Sequence, residues 1–462
     1  MKRSHKPTLD KTLIFLMLGA LVIKLVFAVP VFTDPQRSLA CTDAFFYDRI
    51  ARNIVSGNGF SMEEGAPYDP DSTVAPGYPY FIAAIYGVFA NSKIAVVLVQ
   101  IILNLLLLYI IYRFLKRKFP EKTVILFGII FALDLNLSIF INQITSETLF
   151  SVLFIPGLLL VLTAVEEKKI LPAVWAGLLL GAATLVRPVI LYFGAPLLIF
   201  FFIAQIKVRP YKLWRRIAGW GVVIILQLIL ITPWVIRNRA VFSRTFYTTV
   251  SQINLMRYHA APLKSILEHK PRLQAQQELT NDALEHETWS NEVDNLRLTG
   301  RGARKYILSH PLPYAGIAVL GGLGSLLNPL DLHETGVYLK GQTLPPSGSI
   351  LSDVQANLTK GRIGKALGIV WNERLLYYGK PVILVFILYG LVHLAKLVFG
   401  LRAYIVLGFS DPMMLLFLLT GIYILGLVGF AMVARMRVPA EPLLCSLAAI
   451  GLFAKREKKN AG

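Results

Sequence analysis

Residues 42–61 read TDAFFYDRIARNIVSGNGFS, a polar island directly after the first membrane-length apolar run. Thr42 is placed to cap a helix and Gly57 to end it in the left-handed conformation, which brackets about fourteen residues. At about 100° per residue, Asp43, Tyr47, Ile50 and Ile54 share one face. Asp48, Arg49, Arg52 and Ser56 share the other, with Asp48 and Arg52 at the i, i+4 spacing of a solvated ion pair. That spacing accounts for Asp48 and leaves Asp43 unexplained. A carboxylate on the apolar face of a helix at a membrane surface needs a partner, a substrate or a catalytic task. The simpler account is that Asp43 complements the positive end of its helix.

Outward from this stretch, the chain is membrane-like. Of 462 residues, 55% are hydrophobic and only 16% charged, with a mean hydropathy of +0.60. This profile predicts an all-α polytopic membrane protein rather than a string of soluble domains. The net charge of +20 does not point to nucleic acid, because the cations collect in short clusters between apolar runs, as the positive-inside bias dictates. Membrane lipids and anionic lipid phosphates are the partners such clusters suit. Cys41 and Cys445 make neither a disulfide framework nor a metal motif.

About ten spans are expected, at 12–32, 94–112, 123–139, 148–165, 170–187, 189–206, 217–236, 380–398, 411–432 and 438–454. The loops RFLKRKFPEK, EEKK and KVRPYKLWRR and the terminal KREKK then all lie inside. Both termini are accordingly expected in the cytoplasm of a plasma (inner) membrane protein. Residues 1–236 form an N-terminal transmembrane module of seven spans. The polar region 237–378 is expected to be a small extracytoplasmic domain, with 312–330 surface-lying or re-entrant. Residues 379–462 form a C-terminal module. Pro67, Pro70, Pro76 and Pro79 make the rest of the first outer loop an ordered, largely non-helical surface segment, followed by a short helix near 80–90.

In this topology the outer span ends carry Asp43, Asp134, Glu147, Arg187, Arg237, Asn238, Arg239, Arg435 and Arg437. Carboxylates on two outer loops can deprotonate an acceptor or hold a divalent cation, and guanidinium groups can clamp a phosphate. A single arginine is explained by snorkelling to the interface. The set is not, on the side where positive charge is normally depleted. The histidines of the 237–378 region lack zinc-site spacing, and only His259, just after the seventh span, is kept as a substrate-site candidate.

Several motifs occur in a recognisable order. They are Asp43 with Tyr47, Gly57–Phe60, PGYPYF at 76–81, SETLF at 146–150, GLLLGAATLVRP at 177–188, TPWVIRN at 232–238 and RMRVPAEP at 435–442. Together they resemble the polytopic GT-C glycosyltransferases, and more narrowly the protein mannosyltransferase and lipid A aminoarabinose transferase family. The resemblance runs through most of the chain and is weakest across 260–370. It implies transfer of a sugar from a polyprenyl-phosphate carrier to a lipid, glycan or protein acceptor at the extracytoplasmic face of the cell envelope. It casts Asp43 as the base of an inverting transfer and Glu147 as its acidic companion on the second outer loop. Tyr47, Tyr78, Arg187, Arg237, Asn238, His259, Arg435 and Arg437 are the substrate-binding candidates. Asp43 and Glu147 are also the only candidates for holding Mg or Mn, although Ala44 stands where one common form of the motif has a second acid. A transporter or flippase of an anionic or lipid-linked substrate is the alternative, and it would more often show repeats and ionisable groups near the bilayer midplane. A non-catalytic scaffold would have no use for paired acids on two outer loops.

Overall fold

The computed structural model describes residues 10–207, 213–284, 292–341, 353–354, 356–358, 361–369, 380–409 and 411–454. Parts of the expected 237–378 domain and both chain ends lie outside the described residues. Among those described, the chain is helical throughout and contains no strand, only an isolated bridge between Ser61 and Pro70. The expectation of an all-α polytopic membrane protein holds.

Each expected span has a helix. The first seven are α1 (Lys11–Thr33), α4 (Lys93–Lys116), α5 (Glu121–Leu133), α7 (Glu147–Glu167), α8 (Leu171–Val186), α9 (Gly194–Lys207) and α10 (Leu213–Phe242). Between α1 and α4 lie α2 (Thr42–Val55) and α3 (Gly77–Phe89), and α6 (Leu135–Phe140) follows α5. Beyond α10 come short helices α11 (Val250–Asn254), α12 (Ala261–Leu267), α13 (Arg272–Leu284), α14 (Glu292–Ser309), α15 (Pro311–Leu327), α16 (Leu332–Lys340) and α17 (Ile363–Ile369). The C-terminal module is α18 (Lys380–Leu407), α19 (Pro412–Leu427) and α20 (Glu441–Phe453).

Among the described residues, six helices are long and apolar enough to cross a bilayer, or seven if α14 and α15, bent by 104° at His310, form one broken span. The helices α8 and α19 are apolar but shorter than a full crossing. Large apolar side chains such as Phe15, Val22, Val26 and Ile102 face outward, which suits lipid contact rather than water. The interior is close-packed at glycines. A Cβ on Gly321 would meet the backbone oxygen of Gly429 at 1.8 Å, and one on Gly451 would meet that of Phe399 at 1.7 Å.

The first polar loop is built from local bonds. The helix α2 runs fourteen residues and hands over to Gly57 at φ +80°, as its sequence dictates. Cys41, not Thr42, is the N-cap residue, and no side chain caps the helix. Asn53 donates to the carbonyls of Ser61 and Glu63, and the Asp71 carboxylate accepts from the backbone of Thr73 and Val74. Pro79 sits in the first turn of α3, where its missing N–H costs nothing.

The face assignment of α2 needs correction. Asp48 is buried at 1% exposure, takes a hydrogen bond from the Tyr86 hydroxyl at 2.5 Å and pairs with Arg52 and Lys93. Asp43 has the half-exposed side chain. The helix packs against α3 near Asp48, so Asp48 is the residue of the expected solvated face that is drawn inside, while Arg52 and Ser56 stay exposed and Ile50 of the expected apolar face is buried. Tyr86 and Lys93, both distant in sequence, make the burial of Asp48 tolerable.

Candidate active site

The cluster assembles around Arg435, in the 3₁₀ helix Ala434–Ala440 that precedes α20. Its Nε donates to Glu147 Oε1 at 2.7 Å, its Nη2 to Asp43 Oδ2 at 2.8 Å and its Nη1 to Cys41 Sγ at 2.6 Å. Glu334, in α16, lies 3.7 Å from Nη1. Arg187, capping the C-terminus of α8, adds a second guanidinium 2.7 Å from Glu147 and 3.1 Å from the Ser146 hydroxyl. Three chain segments far apart in sequence, carrying Asp43, Glu147 and Glu334, thus meet on two arginines from two further segments.

Local chemistry explains how they get there. Gln100 of α4 donates to the carbonyls of Ile141 and Gln143, and Ile144 N–H donates to Ser38 O, which fixes the loop leading into Glu147. Tyr78 donates to Gln100 Oε1 and packs edge-on against Tyr47, ring centroids 4.9 Å apart. Tyr47 sets its hydroxyl 3.5 Å from Ser146 Oγ. Burial pushes the Tyr47 hydroxyl and the Cys41 thiol to higher pKa than usual, so both stay protonated at neutral pH. Glu147 is fully buried, whereas half of the Asp43 side chain is exposed. Asp43 is therefore the acid of this cluster that an incoming molecule reaches most easily.

Of the sequence candidates, Asp43, Tyr47, Tyr78, Glu147, Arg187 and Arg435 come together. The remaining four are held elsewhere. Arg437 is 1% exposed, pairs with Glu441 and donates to the carbonyls of Leu326 and Asn328 at 3.0 and 2.8 Å. Arg237 donates to Asp71 O and lies over the rings of Trp234, Phe242 and Phe60. Asn238 holds the carbonyls of Phe246 and Tyr247. His259 is buried against the Tyr314 hydroxyl at 2.9 Å, and burial lowers its pKa. A proline-rich loop and bent helices expose carbonyls that need donors, and these side chains supply them.

Cys41 and Ser146 adjoin the candidate acids Asp43 and Glu147 but carry no charge that singles them out, and Glu334 lies in a stretch with no motif. A second buried cluster was legible in principle. Lys396 stands alone in an apolar run, and its ammonium bridges Asp134 and Glu441, the latter at 2.9 Å. An isolated charge in a span asks for such a partner.

Asp43 Oδ2 and Glu147 Oε1 each accept from a guanidinium group, while Glu147 Oε2 and Glu334 Oε2 are buried without a partner among the described residues, so the cluster keeps carboxylate oxygens free for a divalent cation such as Mg or Mn. Asp134, Glu441 and Cys445 are close enough to share an ion, but Lys396 already supplies the cation there.

Residues 73–236 match the model of the dolichyl-phosphate-mannose-protein mannosyltransferase family. The resemblance read from the motifs is borne out over that stretch, which contains PGYPYF, SETLF and GLLLGAATLVRP and ends inside TPWVIRN, before Arg237. No curated protein matches. Among solved structures, the chain is similar to the oligosaccharyltransferase AglB from Archaeoglobus fulgidus in complex with an inhibitory peptide and a dolichol-phosphate. Identity is 12%, the TM-score 0.46, and the overlap covers 94% of this chain and 50% of that one. The Archaeoglobus fulgidus oligosaccharyltransferase complexed with Zn and sulfate gives 14%, 0.39, 97% and 54%. This chain spans about half the length of those proteins.

Proposed function

We propose that the protein is a membrane glycosyltransferase that moves one sugar from a polyprenyl-phosphate donor to an acceptor at the extracytoplasmic face, with inversion. One observation carries the reading. Arg435 binds the acids of two separate loops, Asp43 and Glu147, and leaves Asp43 half exposed. A carboxylate held on one oxygen and open on its outer side is suited to take a proton from an acceptor as that acceptor attacks the anomeric carbon. The bond from the sugar to the lipid phosphate breaks in the same step, and the electron pair leaves with the phosphate. Arg187, part of whose side chain is exposed, lies where it could stabilise that charge, which grows in the transition state. Ser146 connects Arg187, which donates to its hydroxyl, with the Tyr47 hydroxyl of the helix that carries Asp43. No step is assigned to a metal.

The reading is tested in proteoliposomes containing the wild-type protein. Labelled polyprenyl-phosphate sugars are supplied with envelope extract, and the anomeric configuration of the product is read by NMR. Transfer with inversion supports the proposal. Retention of configuration would exclude a single displacement by Asp43. Movement of intact donor across the bilayer without transfer would favour a flippase.

A further inference from the structure

The site has more acids than cations. Arg187 and Arg435 are matched by Asp43 and Glu147, and Glu334 is a third carboxyl facing the same guanidinium. Two oxygens in this group are buried and have no hydrogen-bond partner, Glu147 Oε2 and Glu334 Oε2. A buried acceptor left unpaired is costly, so such atoms mark the place of a missing donor. Among the described residues no protein group supplies it, and both oxygens belong to side chains held by Arg435 beside the reachable carboxylate of Asp43.

Glu334 is also placed with care. Asp331 caps the N-terminus of α16 by accepting from the Glu334 backbone N–H, and Gly341 ends the helix in the left-handed conformation. Arg37, from the first polar loop, donates to Leu339 O, and Tyr338 bonds Phe27 O. The 3₁₀ turn Pro35–Leu39, just ahead of Asp43, thus pins the helix that carries Glu334.

We propose that Glu334 is an acceptor-binding residue, and that it and Glu147 take hydrogen bonds from a hydroxyl or amine group of the acceptor seated over Asp43. This rests on the glycosyltransferase reading and extends it, because it places acceptor selection on α16, a segment remote from the residues that match the family. The ligand chemistry is a polar group with at least two N–H or O–H donors, as a sugar ring or an amine-bearing head group presents. Burial outweighs the nearby Arg435 and raises the Glu334 pKa to about 8, with Asp331, Glu147 and Asp43 adding to the rise. A neutral carboxyl both accepts from and donates to such a ligand.

The experiment measures steady-state transfer by the reconstituted protein, varying acceptor and donor separately, for wild type, Glu334→Gln and Glu334→Ala. Glu334→Ala should raise KM for the acceptor about tenfold or more, the effect of losing a hydrogen bond of about 1.5 kcal/mol. The donor KM should change less than twofold. Glu334→Gln, which keeps the size and the accepting oxygen, should stay within about threefold of wild type. Melting curves in detergent identify folded variants, and if Glu334→Ala does not fold, Glu334→Leu, which fills the space without a hydrogen-bonding atom, takes its place and should raise the acceptor KM likewise. An unchanged acceptor KM in folded Glu334→Ala, or a loss confined to the donor KM, would overturn the proposal. So would activity that disappears with EDTA, returns with Mg or Mn, and needs more metal in Glu334→Gln. If the wild type transfers no sugar, it is the glycosyltransferase reading that fails instead.

Discussion

Arg435 is itself buried, and three of its nitrogens are committed to different residues, of which Asp43 is half exposed. Removing the guanidinium leaves Glu147 buried with a single cationic partner and releases Asp43. Breaking a buried ion pair from one side costs about 3–5 kcal/mol. Arg435→Ala should therefore lower the thermal midpoint of the detergent-solubilised protein and abolish transfer. Arg435→Lys keeps the charge without the planar fork, and should recover part of the stability but little of the activity. A midpoint unchanged in Arg435→Ala would show that the cluster does not hold the loops together. Glu334 gives a pH signature at the same scale. Its pKa is raised from 4.5 to about 8, so the folded protein keeps a proton that the unfolded chain releases. That contribution is fully present below about pH 4.5 and is lost as pH rises through about 8. Denaturant midpoints measured across this range should fall with pH in wild type, and less steeply in Glu334→Gln.

At the scale of elements, the 3₁₀ helix Ala434–Ala440 positions the site, and its own anchor is Arg437. The Arg437 guanidinium ties it to the C-terminal end of α15, through the carbonyls of Leu326 and Asn328, and to Glu441. Gly321 allows α15 to reach that position, because a Cβ there would meet the Gly429 carbonyl oxygen at 1.8 Å. Gly321→Ala must push α15 and the loop after α19 apart. Overpacking of this kind costs about 1–3 kcal/mol, and it should also lower activity by shifting Arg435. A stability and rate equal to wild type would show that the α15 contact is not needed. The elements were largely legible: each apolar run of the sequence coincides with a helix, six or seven of them among the described residues long enough to cross a bilayer, and Gly57 gave the end of α2. Which residues meet was legible only where one side chain carried an anomaly of its own, as Asp43 did. Asp48 misled because its i, i+4 partner Arg52 is real, while Tyr86 and Lys93, which bury it, belong to other elements. The arginines looked alike in sequence. What separates Arg435 from Arg437 and Arg237 is which acids and carbonyls the fold brings to each.

For the whole molecule, the positive clusters predict an orientation. With the native Cys41 and Cys445 both buried, single cysteines at exposed positions report sidedness. Asp69→Cys lies in the Asp43 loop and Lys169→Cys in the loop between α7 and α8. A membrane-impermeant maleimide should label the first in intact cells and the second only after permeabilisation. The reverse pattern would put the Asp43 site on the cytoplasmic face and remove the basis for a lumenal or periplasmic acceptor.

The central claim is that Asp43 takes the acceptor proton, and Asp43→Asn tests it most directly, because the substitution keeps the size and removes the basicity. In proteoliposomes with saturating labelled donor and acceptor, the rate of transfer should fall at least about a hundredfold, the lower bound for losing a general base. Asn can still accept from Arg435, so the melting curve should stay close to wild type. Transfer undiminished in a folded Asp43→Asn protein would contradict the account.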